Sequence, residues 1–268
     1  MPQNAYAQII TSIFLDGYQE SAIEVPFTRE DIAVHAERLH LPRPRNLGDV
    51  VYSFRYRANL PPEISDTAPD GMQWVIIGVG DAQYKFVLSR NTNISPNTNL
   101  LPINLLDNTP EIITRYSLSD EQSLLSRVRC NRILDVFLGI VSYSLQNHLR
   151  TKIPDIGQIE IDELYVGVNK IGQHFILPVQ AKVGNDKIGV VQLMQDIAFC
   201  SSKFPDMICV PIAVHFLENE NTICMFRLTL DDMSVRIVDE KHYKLINNSE
   251  LSQDYVRRLS TENDPLTI

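Results

Sequence analysis

Residues 157–184 read GQIEIDELYVGVNKIGQHFILPVQAKVG. Two apolar runs flank a polar Asn169–Gly172 connection, which predicts adjacent strands over 158–168 and 174–182. Strand residues two apart share a face, so Glu160 and Asp162 point one way together, as do Gln180 and Lys182. Burying charge without a partner is costly, and strands of this apolar character would otherwise avoid it. The pattern therefore predicts a bound group where the two charged edges meet. Facing residues on paired strands lie about 5 Å apart at Cβ, close enough for all four side chains to converge on one ion.

The surrounding sequence sets the context. Residues 119–150 read as one long helix, with Ser119 as cap, Gln122 at the third position, and Leu125, Val128, Ile133, Val136, Phe137, Ile140 and Leu145 on its apolar side. After Gly184, IGVVQLMQDIAFCSSKF predicts an apolar-faced helix, and MICVPIAVHFL (207–217) a strand buried on both faces. TICMFRLTL and MSVRIV read as two further strands.

Upstream, TREDIAVHAERLH (28–40) predicts a helix with Thr28 as N-cap and Asp31 at the capping-box position. A second helix over 46–57, capped by Asn46, buries Leu47, Val50, Val51 and Phe54 and turns Tyr52, Arg55 and Tyr56 outward. MQWVIIGVGDAQYKFVLS (72–89) is a hairpin signal split at Gly80-Asp81-Ala82. Helix, turn, arginine-bearing helix and hairpin is the order of a winged helix; the plainer reading is a packing subdomain with solvated arginines. Residues 91–118 hold the polar NTNISPNTN and suit a linker. The expected division is a winged-helix-like unit over 1–90, a linker over 91–118 and a second domain over 119–268.

A net charge of −9 over 268 residues argues against indiscriminate coating of nucleic acid, but the charge is uneven. Residues 38–59 hold Arg38, Arg43, Arg45, Arg55 and Arg57 against Asp49 alone, whereas 217–268 hold six basic and ten acidic residues. The basic segment makes Arg43, Arg45, Tyr52, Arg55 and Arg57 candidate DNA contacts. Cys130, Cys200, Cys209 and Cys224 show no C-x-x-C spacing, so free thiols are expected and a zinc site is not. No apolar run is long enough to span a bilayer, and the first residues lack a basic start and a small-residue cleavage site. A cytoplasmic protein with no membrane partner is the expectation.

Helix, acidic strand, strand ending in lysine, helix, buried strand: over residues 119–217 this order resembles the PD-(D/E)XK nuclease superfamily, which includes most restriction endonucleases and the archaeal Holliday-junction resolvases. The resemblance implies an α/β (α+β) restriction-endonuclease-like fold, a mixed sheet flanked by helices. It implies that Asp162 is the strand acid, that Gln180-Ala181-Lys182 stands where Glu-x-Lys is usual, and that Glu160 is a companion carboxylate. The glutamine is similar to the Q-x-K form of Mrr-type restriction nucleases. Asp162, Gln180 and Glu160 would then hold Mg2+, with Mn2+ as a substitute. Lys182 would act on the attacking water or the phosphate.

The residue types suit this chemistry on their own terms, because Mg2+ is a hard cation that takes oxygen ligands and keeps several waters. The competing reading is a surface ion pair between Glu160 or Asp162 and Lys182, worth ~0.5 kcal/mol. Glu163 is expected on the opposite, solvated face, and His174 and His215 are read as structural. Gln192 and Gln195 are candidates for the site's edge, and Asp155 and Asp186 for its flanking loops. The function this predicts is Mg-dependent hydrolysis of double-stranded DNA by a site-specific, type II-like restriction enzyme. Its expected partners are a second copy of the chain, to cut both strands, and a cognate methyltransferase. The alternatives are a non-catalytic DNA-binding protein using the nuclease fold as a scaffold, or a structural component of a defence complex.

Overall fold

The structure is a computed structural model describing residues 3–90, 94–118, 120–153, 156–184, 189–217, 221–231, 234–250 and 257. Its first elements are α1 (Gln3–Gly17), β1 (Glu24–Thr28), α2 (Arg29–Arg38), α3 (Leu47–Tyr56), α4 (Pro62–Ser65), β2 (Met72–Gly80) and β3 (Gln83–Arg90). Thr28 and Asp31 close a reciprocal capping box on α2, and the Asn46 side chain accepts the Gly48 N–H at the start of α3. The hairpin turns at Asp81-Ala82, with Ala82 at φ 58°, and β1 joins it to give the antiparallel order β1–β3–β2. Phe14 of α1 packs its ring 5.1 Å from both Trp74 and Phe86, among buried Ile9, Ile10, Phe27, Ile32, Val50 and Val51. The sequence reading had both helices and the hairpin, but neither α1 nor β1.

The second half builds an eight-stranded mixed sheet. Its elements are β4 (Ile103–Leu106), α5 (Glu111–Tyr116), α6 (Glu121–Cys130), α7 (Ile133–Leu138), β5 (Val141–Ile153), β6 (Gly157–Val168), β7 (His174–Val183), α8 (Val190–Lys203), β8 (Ile208–Cys209), β9 (Ile212–Leu217), β10 (Thr222–Asp231) and β11 (Ser234–Ile246). The strand order is β4–β11–β10–β9–β7–β6–β5, with β8 beside β7. Neighbours are antiparallel except β7 with β9, β7 with β8 and β11 with β4. Helix α8 makes the crossover from β7 to its parallel neighbours β8 and β9, as such a connection requires.

Helices cover both sides of this mixed α+β sheet. Leu124, Leu125, Val128, Leu134 and Phe137 of α6 and α7 pack on Tyr165, Leu177, Val179, Ile212 and Val214. Val190, Val191 and Leu193 of α8 pack with Ala213, Cys224 and Phe226, while Phe199 and Cys200 pack with Ile159, Ile161, Leu164 and Ile176.

Three expectations are corrected here. The single helix over 119–150 is α6, α7 and β5. The chain breaks at Asn131-Arg132, where Arg132 sits at φ 49°, and α7 ends at Gly139 at φ 65°. The cap of α6 is Asp120, whose Oδ1 accepts the Ser123 N–H; Ser119 lies outside the described residues. The stretch read as an irregular linker holds α5 and β4, the latter pairing with β11. Finally, the apolar run 207–217 is interrupted before Pro211, whose ring nitrogen has no proton for a ladder, leaving β8 and β9 as separate strands. Among the described residues no helix is long and apolar enough to cross a membrane.

Candidate active site

The site begins where one ladder stops. Strands β6 and β7 pair from Val168–His174 down to Glu163–Val179 and no further. Beyond that point β7 runs on against β9, placing Gln180 opposite Ala213 and Lys182 opposite His215. β6 runs on against β5, placing Glu160 opposite Arg150. The strands fork, and side chains satisfy backbone groups at the crotch. Asp162 Oδ2 accepts the Ala181 N–H at 2.8 Å, and Gln180 Nε2 donates to the Glu160 carbonyl at 3.1 Å.

Gln180 is only 3% exposed, and its amide nitrogen also lies 3.1 Å from both carboxylate oxygens of Asp196 on α8. With both amide protons taken by Asp196 and the Glu160 carbonyl, Gln180 keeps its Oε1 as the group left to offer. Burial pushes the Asp196 carboxyl well above the ordinary carboxylate range; the Gln180 bond offsets this, and neighbouring Asp162 adds to it. Asp162 is raised too, first by burial; the Ala181 N–H and Lys182 pull it back, and Glu121 and Glu160 push it up. Lys182 Nζ stands 3.3 Å from Glu121 Oε1 at the start of α6. Glu160 meets Arg150 at 2.9 Å and His148 at 3.6 Å.

Glu160, Asp162, Gln180, Lys182 and Glu121 line one cleft of about 290 Å³. Its other wall comes from the N-terminal unit: Tyr52, Tyr56 and Arg57. The Tyr56 hydroxyl donates to Gln195 Oε1 at 2.8 Å, and Gln195 Nε2 donates to the Gln158 carbonyl at 3.3 Å, tying α3 to α8 and β6. Burial raises the Tyr56 phenol above its usual pKa. Val75 and Ile77 of β2 pack on the α8–β10 cluster beside this contact.

No protein-family model, curated protein or solved structure matches the chain.

The four strand residues expected to converge, Glu160, Asp162, Gln180 and Lys182, thus share a cleft. Tyr52 and Arg57 line it as well, and Arg55 lies in an adjoining groove, while Arg43 and Arg45 are exposed in the loop before α3. Gln192 is at the rim and Gln195 is buried beneath it. His174 is exposed and His215 is buried on β9. Asp155 and Asp186 lie outside the described residues.

The expectation of a solvated Glu163 is corrected: its side chain is 0% exposed, 2.8 Å from Arg129 and 2.6 Å from Ser144 Oγ. Both faces of β6 are covered, so the face opposite Asp162 is core, and the carboxylate is held there by a guanidinium from α6. Sequence reasoning missed Asp196 and Glu121. Asp196 had a signal, as an acid within the otherwise apolar face of the helix that follows the Gln180-Ala181-Lys182 strand. Glu121 had none beyond its place in the first turn of a helix.

Proposed function

We propose that the fork is the catalytic centre of a magnesium-dependent DNA endonuclease of the PD-(D/E)XK type. The observation that carries the proposal is the convergence of Asp162, Gln180, Lys182 and Glu160 in one cleft at the end of the β6–β7 ladder. The order helices α6 and α7, strand β5, acidic strand β6, lysine-ended strand β7, helix α8 and strand β9 supports it, as does the helical crossover joining β7 to a parallel β9. The succession α1, β1, α2, α3, the short α4, β2 and β3 with sheet order β1–β3–β2 supports a winged-helix-like N-terminal unit.

The donor set suits a hard divalent ion. Among the described residues no group of three or more His, Cys, Asp and Glu side chains gathers to hold a metal. Here the oxygens are of mixed kind: the Asp162 and Glu160 carboxylates, Gln180 Oε1 and the Ala181 carbonyl. The raised pKa of Asp162, pushed up by burial and by two neighbouring carboxylates, marks a place where a cation relieves repulsion. Bound Mg2+ would supply Lewis acidity and a more acidic water. Asp162 and Gln180 fix the ligand positions, because each is pinned by a hydrogen bond to the fork itself. Lys182, held near the same carboxylates, faces the space where phosphate charge develops and stabilises it. Asp196 stands behind Gln180 and sets which way its amide points.

The test is cleavage of plasmid DNA, methylated and unmethylated, in Mg2+ or Mn2+, by the parent chain and by Asp162→Asn and Lys182→Met. Asn at 162 keeps an acceptor for the Ala181 N–H while removing the charge, so lost cutting in a folded variant is lost chemistry. Losing one such contact costs ~3 kcal/mol, two orders of magnitude in rate. Undiminished cutting by both variants sinks the assignment. A second reading, a scaffold that binds without cutting, is favoured by the engagement of Glu160 with Arg150. DNA binding without cutting in every divalent metal tried would select it.

A further inference from the structure

Three grooves run around α3, and they share walls. The catalytic cleft shares Tyr52, Tyr56 and Gln158 with a groove of about 730 Å³ between α3, the hairpin turn and the β5–β6 end. It shares Tyr56, Arg57 and Gln192 with a third groove of about 1010 Å³ on the other side of α3. We read these three adjoining grooves as one passage across the interface of the two units, with the carboxylates in the middle groove.

The approach side is basic. Arg29, Arg55, Arg150 and Lys152 line it against Asp49 and Asp81. Lys152 and Asp81 meet at 3.3 Å with both side chains largely exposed, a loose pair that a phosphate can replace. Arg55 Nε is buried with no hydrogen-bond partner among the described residues, a donor lacking an acceptor in the wall of a groove. At the junction with the cleft, the Tyr52 and Tyr56 rings lie 4.9 Å apart, with the Arg57 guanidinium 4.9 Å from the Tyr52 ring and that of Arg55 5.2 Å from the Tyr56 ring.

Reading duplex DNA with α3 in a major groove ~12 Å wide requires that helix to present a free face. Its aromatic residues, Tyr52 and Tyr56, face the catalytic cleft, and Tyr56 is fastened to Gln195. What the passage fits is a chain of phosphates with bases that can stack on aromatic rings. We infer that the substrate is a single DNA strand, unpaired at the scissile phosphate, led to the cleft along the Arg29–Arg55–Arg150–Lys152 groove and stacked at Tyr52. This rests on the nuclease reading and narrows its substrate from duplex to unpaired DNA.

Metal-free binding tests the inference apart from that reading. Fluorescence anisotropy of a labelled thymidine oligonucleotide, against a hairpin duplex of equal charge, should show the single strand bound at least about tenfold tighter, the worth of one stacked base. Lys152→Gln and Arg55→Gln should each lower the log–log salt slope for the single strand by about 0.7. Tyr52→Leu should weaken single-strand binding and Tyr52→Trp should preserve it. Lys152 is exposed, so its variant reports on binding even if Arg55→Gln unfolds the chain. Equal or tighter duplex binding, no DNA binding, or an unchanged slope in Lys152→Gln overturns the inference. Single-strand binding with the expected slopes but no cutting in Mn2+ leaves the passage standing and removes the nuclease reading. Duplex cutting without single-strand preference does the reverse.

Discussion

Gln180→Glu would place the ligand more usual in the resembled family at nearly unchanged size, yet the geometry at the fork makes it a damaging change. The Gln180 amide gives its protons to the Asp196 carboxylate and the Glu160 carbonyl, all at 3.1 Å, and a carboxylate can give neither. A hydrogen bond to a charged acceptor contributes ~1.5–3 kcal/mol, and an abandoned buried carbonyl costs ~1–3 kcal/mol, so the loss should be about 3–5 kcal/mol. The new carboxyl also faces Asp196, already raised by burial, and two carboxyls in contact cannot both ionise.

The sign with pH follows from that. A group whose folded pKa is raised contributes stability that is present below its unfolded pKa and is lost as pH climbs through the folded value. The deficit of Gln180→Glu should therefore grow from about pH 5 to about pH 8, because at the lower pH a shared proton restores a donor between the two carboxyls. Adding Asp196→Asn moves the amide to α8 and the carboxylate to β7. The pair is remade in reverse, and the double variant should recover ~2–3 kcal/mol as a coupling energy. Urea denaturation of the four proteins of this cycle at both pH values measures it. A Gln180→Glu variant as stable as its parent at the higher pH, with no coupling to Asp196→Asn, would show that the amide's donation is not what holds this site.

Three other outcomes follow. Arg129→Met leaves the fully buried Glu163 carboxylate without its cation and should cost ~3–5 kcal/mol in urea unfolding, much of it recovered by adding Glu163→Leu. Gly78→Ala builds a Cβ 2.6 Å from the Ile156 backbone oxygen at the seam of the two units, and should cost ~1–3 kcal/mol and speed proteolysis at that seam. Asp162→Ala, unlike Asp162→Asn, also strips the Ala181 N–H of its acceptor, so it should unfold more readily than the Asn variant by ~1–3 kcal/mol on the same urea assay.

What sequence made legible was local. The Thr28–Asp31 and Asn46 caps, the Asp81-Ala82 hairpin and the β6–β7 pair with its tight connection are each written in a few adjacent residues, and each formed. β5 shows why the long helix was misread. It is an edge strand with most of its residues exposed on either face, so the two-residue apolar rhythm never appears, while Val136, Ile140 and Leu145 imitate a helical face. The break between α6 and α7 rests on Arg132 in a left-handed conformation, with no glycine to announce it; the end of α7 before β5 does carry one, Gly139. What holds Glu163 and Asp196 was illegible for a second reason. Their partners, Arg129 and Gln180, lie 34 and 16 residues away, and only the sheet with its two helical covers brings them together. The pattern gave the face each acid takes but not what covers that face.

The fork explains why so many charges tolerate one another here. Where the β6–β7 ladder has stopped, the Asp162 side chain accepts the Ala181 N–H and the Gln180 amide donates to the Glu160 carbonyl, so side chains satisfy these two backbone groups at the opening. The opening lets Asp162 and Gln180 face a cleft and not a neighbouring strand. On the nuclease reading the two residues would be structural and functional at once, since the bonds that hold the strands apart would also aim the ligands. Glu121 and Arg150 then balance Lys182 and Glu160 from outside the fork, one from α6 and one from β5. An incoming phosphate and its cation would compete with those outer pairs and leave the two inner bonds intact. On the nuclease reading, substrate would rearrange the rim while the fork stays fixed, the preorganisation that charge stabilisation in a transition state requires.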